Sequence, residues 1–244
     1  VKLIKLTINN IKRGTIMNKI SKLIGSVCIL ALSSIGFANA DSSAFTGAYA
    51  GVSLSTNGMA LGGTYKDESL GAGSDKSKSK GSMGVVEPSV GFELGYSYPM
   101  TDMAFITAGV SYTPIDANID ANNVTNSKKV TLDVEDMMGV FIEPSFNVTE
   151  NSAVYVKAAY AEASFNASGN DLAAKSVGDL EGTTLALGTK IVTDSSMIIK
   201  VEAGYTEYDG IKIKNISDDA GGTTASADVD IESAYGMVTL GYKF

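Results

Sequence analysis

The 244-residue chain contains no histidine and no tryptophan, one cysteine and only four prolines. Without histidine, the commonest general base, the commonest zinc ligand and the physiological pH switch are all missing. The single cysteine, Cys28, lies in an apolar stretch near the N-terminus, so the chain downstream of it cannot form an internal disulfide. Cys28 is also a poor lipidation site, because Gly25-Ser26-Val27 does not make a lipobox and the apolar run continues past it. Beyond Asp41 no stretch approaches 18 consecutive apolar residues, which excludes membrane-spanning helices. Cations are scarce there too. The first forty residues carry Lys2, Lys5, Lys12, Arg13, Lys19 and Lys22 and no acid, leaving 13 cations against 27 acids in the remainder. Such an acidic excess argues against nucleic acid as a partner, since phosphate binding needs clustered cations.

The N-terminal segment has three parts. Met17 to Lys22 is cationic, Leu23 to Phe37 is apolar, and Ala38-Asn39-Ala40 places small residues at the −3 and −1 positions before Asp41. This is the pattern of a Sec signal peptide over residues 17–40, cleaved after Ala40. Its apolar run of about 15 residues is short of the roughly 20 that a spanning helix needs. Residues 1–16 precede a better initiator at Met17 and are read as an over-extended start. The expected mature domain is residues 41–244.

That domain is written in period two. From Val86 to Tyr98 one face reads Val86, Pro88, Val90, Phe92, Leu94, Tyr96 and Tyr98, and the other Glu87, Ser89, Gly91, Glu93, Gly95 and Ser97. Alternation of this kind makes a strand with two differently solvated faces. Seven more segments follow it, beginning near Ala48, Ala104, Met138, Val154, Leu185, Met197 and Ser233, and the last runs to Phe244. Pro99 to Asp102, Thr149 to Asn151 and Thr193 to Ser195 read as tight turns. Tyr65 to Gly84, Asp116 to Lys129, Ala167 to Asp179 and Gly210 to Ala227 read as long polar loops. Short turns alternating with long loops are how transmembrane barrels are strung. The predicted fold is therefore all-β: a transmembrane antiparallel up-and-down β-barrel of eight strands, in one domain. An internal echo, Val86-Glu87-Pro88-Ser89-Val90 and Ile142-Glu143-Pro144-Ser145-Phe146, suggests growth by hairpin duplication.

With Gly91-Phe-Glu-Leu-Gly-Tyr96 and the C-terminal Leu240-Gly241-Tyr242-Lys243-Phe244, the domain resembles the small outer-membrane barrels of the OmpA/OmpX type. It resembles the opacity-like surface proteins more loosely. The resemblance implies the outer membrane of a Gram-negative bacterium, a monomer, and contact with lipid and lipopolysaccharide. It also implies that Gly241, Tyr242 and Phe244 serve as the signal read by the barrel-assembly machinery.

Seven ionisable residues fall on inward faces: Glu87, Glu93, Glu143, Lys157, Lys190, Lys200 and Glu202. Buried charges must pair, so these are expected to form one lumen network. One reading makes the network a structural plug in a barrel too narrow for a general porin. Another makes it a gated path for small ions, and a third places an adhesin function on the loops. Catalysis is not expected: Ser127 and Ser176 sit in predicted loops without lysine partners, and no P-loop or EF-hand spacing appears. No cofactor and no metal site is predicted. In the first loop Lys76, Lys78 and Lys80 alternate with serines and offer contact to anionic lipopolysaccharide; Asp218-Asp219 marks the fourth.

Overall fold

A computed structural model describes residues 42–67, 78–123, 128–169, 172–217 and 224–244. The expectations for residues 1–16 and 17–40, including Ala38 and Ala40, lie outside the described residues, as do Lys76, Ser127, Asp218 and Asp219. After a 3-10 turn at Ser42–Phe45 come β1 (Gly47–Asp67), β2 (Lys78–Pro99), β3 (Ala104–Asn123), β4 (Lys128–Asn147) and β5 (Ser152–Gly169). There follow β6 (Leu172–Val192), β7 (Met197–Tyr208), β8 (Ile211–Ser217) and β9 (Thr224–Lys243). From β1 to β7 each strand pairs antiparallel with the next, β7 pairs with β9, and β9 closes on β1. β8 pairs with β9 beyond the end of β7, so β7 and β8 are two halves of one stave. The result is a closed barrel of eight staves.

The register fixes the barrel's width. From Glu232 the paired residues run through Glu207, Thr183, Tyr160, Val140, Val110, Leu94 and Ala50. They return to β9 ten residues farther on, at Tyr242. A shear of ten on eight staves tilts the strands by roughly 40° and leaves an interior that side chains fill. Glycine eases the closure. Gly51 and Gly241 are direct partners at the seam, where an added Cβ on Gly241 would stand 2.7 Å from the Ala50 carbonyl oxygen.

All eight alternating segments lie on staves, and their faces point as the alternation requires. Leu54, Leu94, Met138, Leu187, Leu240 and Phe244 are exposed, whereas Ser53, Glu93, Glu143, Lys190 and Thr239 are buried. On a water-soluble protein such an apolar outer surface would be a liability; facing lipid it is the stable arrangement. Tyr96, Tyr98, Tyr242 and Phe244 ring the turn end of this belt. Tyr112, Tyr160 and Tyr205 ring the loop end, and their hydroxyls meet Asp136, Glu181 and Glu232 just beyond it. Aromatic girdles at both borders suit the two membrane interfaces.

The three tight turns are present, with Met100 N–H donating to the Ala104 carbonyl, Val148 N–H to Ser152 and Thr193 N–H to Met197. The long loops need correction. Among the described residues of Tyr65–Gly84, Asp116–Lys129, Ala167–Asp179 and Gly210–Ala227, all but Gly210 are strand, and full staves such as β1, β3 and β9 run 20 or 21 residues. About ten tilted residues cross the hydrocarbon, so the barrel wall continues well past it. The alternation stops at the membrane border because both faces then meet water, but the backbone ladder does not need an apolar face to continue. Ser176, read as a loop residue, accordingly pairs with Asn166 inside β6. The echo is not structurally equivalent either. Glu143 stands four residues before the end of β4, whereas Glu87 stands twelve before the end of β2.

Candidate functional site

Six of the seven inward charges meet at one level of the lumen. Lys200 Nζ lies 2.6 Å from Glu93 Oε1 and 2.6 Å from Glu143 Oε1. Lys190 reaches Glu143 Oε2 at 3.1 Å, and Lys157 reaches Glu202 at 3.0 Å, Glu93 at 3.2 Å and Glu143 at 3.4 Å. Three ammonium groups and three carboxylates thus balance to zero. Glu87 stands apart, half-buried opposite Asn57 on β1, several inward positions above the cluster.

Neutral donors complete the network. The hydroxyls of Tyr49, Tyr155 and Tyr235 donate to Glu93, Glu202 and Glu202 at 2.6, 2.8 and 2.6 Å, and Lys190 donates to Thr107 at 3.2 Å. Lys157 also stands 4.5 Å from the centre of the Phe141 ring, and Lys200 5.1 Å from that of Tyr155. In a medium of low polarity such cation–ring contacts are worth more than at a surface. Sequence reading placed the charges on the right face but overlooked the tyrosines and Phe141, which alternation marks only as inward.

Those aromatic rings fit because glycine stands opposite each. Tyr49 faces Gly95, Phe141 faces Gly109, Tyr155 faces Gly188, Tyr208 faces Gly182 and Tyr235 faces Gly204, every pair in direct cross-strand register. A Cβ added at any of these glycines would come within 2.6 Å of the facing ring. The ring covers the glycine backbone, a device that stabilises glycine in sheets.

Apolar residues occupy the turn side of the charged layer. Phe45, Tyr49, Phe105, Ala153, Val192 and Ile198 form a buried cluster, with the Phe45 and Phe105 rings stacked 4.8 Å apart. Phe45 arrives on the 3-10 turn, which Ser42 ties to Asp102 and Thr101 and which Lys243 anchors through the Ala44 carbonyl at 2.7 Å. On the loop side lies a cavity of about 100 Å³, floored by Glu93, Lys157 and Glu202 and walled by hydroxyls such as Ser53, Ser111, Thr184 and Ser233. Farther out Val134, Ala163, Leu180 and Ile231 are buried, filling the bore again.

No family model matches the chain, and no curated protein sequence matches it. Solved structures do. Outer membrane protein OprG from Pseudomonas aeruginosa superposes with a TM-score of 0.50 at 14% identity, covering 82% of this chain and 96% of that one. The fold is that of an outer-membrane β-barrel. The outer membrane protease OmpT from Escherichia coli gives a TM-score of 0.47 at 11% identity, covering 81% of this chain and 97% of that one. Ail, the attachment invasion locus protein of Yersinia pestis, gives 0.43 at 14% identity, covering 82% and 99%. At these identities the likeness concerns the fold alone. Among the described residues no group of three Asp, Glu or Cys side chains is arranged to hold a metal ion.

Proposed function

We propose that this chain is a non-enzymatic protein of a Gram-negative outer membrane whose bore is plugged, and whose role is structural or exercised by its outer surface. The observation that carries this reading is the complete burial of Lys200 between Glu93 and Glu143, with an apolar cluster on the turn side. An ion moving along the axis would have to part contacts of 2.6 Å and displace the Phe45–Phe105 stack. Parting a buried pair leaves uncompensated charge and costs about 3–5 kcal/mol. This weighs against the narrow passive channel. Export by the Sec pathway, recognition of Gly241, Tyr242 and Phe244 by the assembly machinery, a monomeric state and contact with lipopolysaccharide belong to the same proposal. Tyr242 and Phe244 support it by packing edge to face, ring centres 5.5 Å apart, on the lipid side of the closing strand. An adhesin role for the protruding strands is compatible with a plugged bore, but no particular contact favours it.

The test is refolding into detergent, a gel-mobility shift between unboiled and boiled samples to establish the closed barrel, and planar-bilayer recording. A folded barrel without unitary conductance steps is the expected result. Stable unitary openings in the parent protein would overturn the plug.

A further inference from the structure

The barrel wall is unlatched where β2 meets β3. The β2–β3 ladder ends at Phe92 and Tyr112, although β2 extends back to Lys78 and β3 on to Asn123, each paired on its other side. In unchanged register Val90 would next meet Pro114, and Pro88 would meet Asp116. Even-numbered residues point their backbone polar groups across this boundary, as the Leu94 carbonyl toward Gly109 and the Tyr112 carbonyl toward Gly91 demonstrate. Proline therefore occupies one member of each of the two consecutive pairs that would carry the next hydrogen bonds, one on each lip. It has no N–H, so each pair could keep only one of its two bonds. Prolines placed this way mark an edge.

This edge begins at the loop-end border of the apolar belt, just past Tyr112, and its β2 lip stays apolar. The outward residues of β2 past the last pair are Val90, Pro88 and Val86, all exposed and apolar. A second break, between β6 and β8, begins beyond Glu181 and Asp209, which are outward, still joined by a 2.8 Å backbone bond, and already beyond the apolar belt. Unpaired backbone in hydrocarbon is costly unless other polar atoms reach it. Outside the β2–β3 break runs a groove of about 690 Å³, bordered by Leu54, Pro88, Val90, Pro114 and Val238. Behind it Ser55, Asn57 and Ser89 are hydrogen-bonded together on the lumen face, with Ser55 to Ser89 at 2.7 Å. Ser55 and Met237 line both this groove and the lumen cavity.

We propose that the Pro88–Pro114 break is a lateral portal that takes a single-chain amphiphile from the outer leaflet. The tail lies in the apolar groove, and the polar head passes between the lips to the Ser55–Asn57–Ser89 hydroxyl and amide groups. A cavity of about 100 Å³ has room for roughly seven to ten waters, which admits a head group but no second acyl chain. The path runs sideways and so does not depend on the axial plug being open or shut.

The chain has no tryptophan, so Met237→Trp introduces the sole indole, at a position lining both spaces. In liposomes, a fatty acid carrying a nitroxide near its carboxyl end should quench this indole more strongly than a two-chain phospholipid labelled on the same carbon. Adding Val90→Cys and Pro114→Cys on the two lips should allow closure by oxidation, with loss of most of the fatty-acid quenching and its return on reduction. Pro88→Val with Pro114→Val, which restores both missing donors, should lower the quenching without any redox step. Equal quenching by the two lipids in the parent wall would overturn the portal. So would quenching that neither lip closure nor proline replacement changes in barrels that keep their gel-mobility shift. Conductance recordings do not bear on this outcome, so the portal and the axial plug fail independently.

Discussion

The Tyr155 hydroxyl reaches Glu202 at 2.8 Å by crossing over Gly188, which stands directly between them on β6. An added Cβ at 188 would lie 2.4 Å from the Tyr155 ring and 2.8 Å from the Val201 carbonyl oxygen. The absent side chain on the middle strand is what allows a bond between strands two apart. Gly188→Ala is expected to lose about 1–3 kcal/mol of unfolding free energy through overpacking. In a Tyr155→Ala background most of that loss should disappear, because the ring that clashes is gone. Urea unfolding of the four proteins in a double-mutant cycle measures this; strictly additive losses would show that the ring and the glycine do not interact.

Removing one member of the charge cluster should cost far more than removing a charge outside it. Lys200→Ala leaves Glu93 and Glu143 buried without their shortest partner, with an expected loss of about 3–5 kcal/mol. Lys200→Met combined with Glu143→Gln removes one charge of each sign and should recover much of the deficit. Glu87→Gln should change stability by no more than about 0.5 kcal/mol. The temperature of the gel-mobility shift ranks the variants, and a Glu87 effect as large as that of Lys200 would refute the separation of the two sites.

Phe45 carries the turn-end seal. Phe45→Ala should destabilise the barrel by about 3 kcal/mol, the usual cost of deleting a buried ring. It should also speed amide exchange near Phe105, its stacking partner. Mass-resolved hydrogen exchange reports both effects. Unchanged exchange there would mean that the 3-10 turn merely rests at the mouth.

Asp136 has a left-handed backbone, φ 49°, at the point where the β4–β5 register shifts, and accepts a 2.7 Å bond from Tyr112. Asp136→Ala keeps the strained backbone and loses the bond, for an expected cost of about 1 kcal/mol. Asp136→Gly loses the same bond but relieves about 1–2 kcal/mol of strain, so it should be near neutral. Unfolding midpoints that place glycine below alanine would contradict this assignment of the bulge.

Strand count, strand identity and face assignment were all legible in the sequence, because the lipid-crossing part of each stave must alternate to meet hydrocarbon on one side and a narrow polar bore on the other. Glu93, Glu143, Lys157, Lys190, Lys200 and Glu202 could be placed in the bore for that reason alone. Their depth could not. Depth depends on shear, which accumulates ten residues around the barrel from pairings separated in the chain by as many as 194 positions, as between Tyr49 and Lys243. Only the closed register could therefore separate Glu87 from the cluster and bring Lys200 between Glu93 and Glu143. The extent of the wall was hidden for another reason. Past the membrane border both faces are wet, so Asp116 to Asn123 carries no apolar alternation although its ladder with β4 is intact. Local composition determined which face of each strand meets lipid, because lipid and the bore impose opposite demands on neighbouring residues. Tertiary structure decided which charges touch, which rings cover which glycines and where the wall comes unlatched, because each depends on which strand lies alongside.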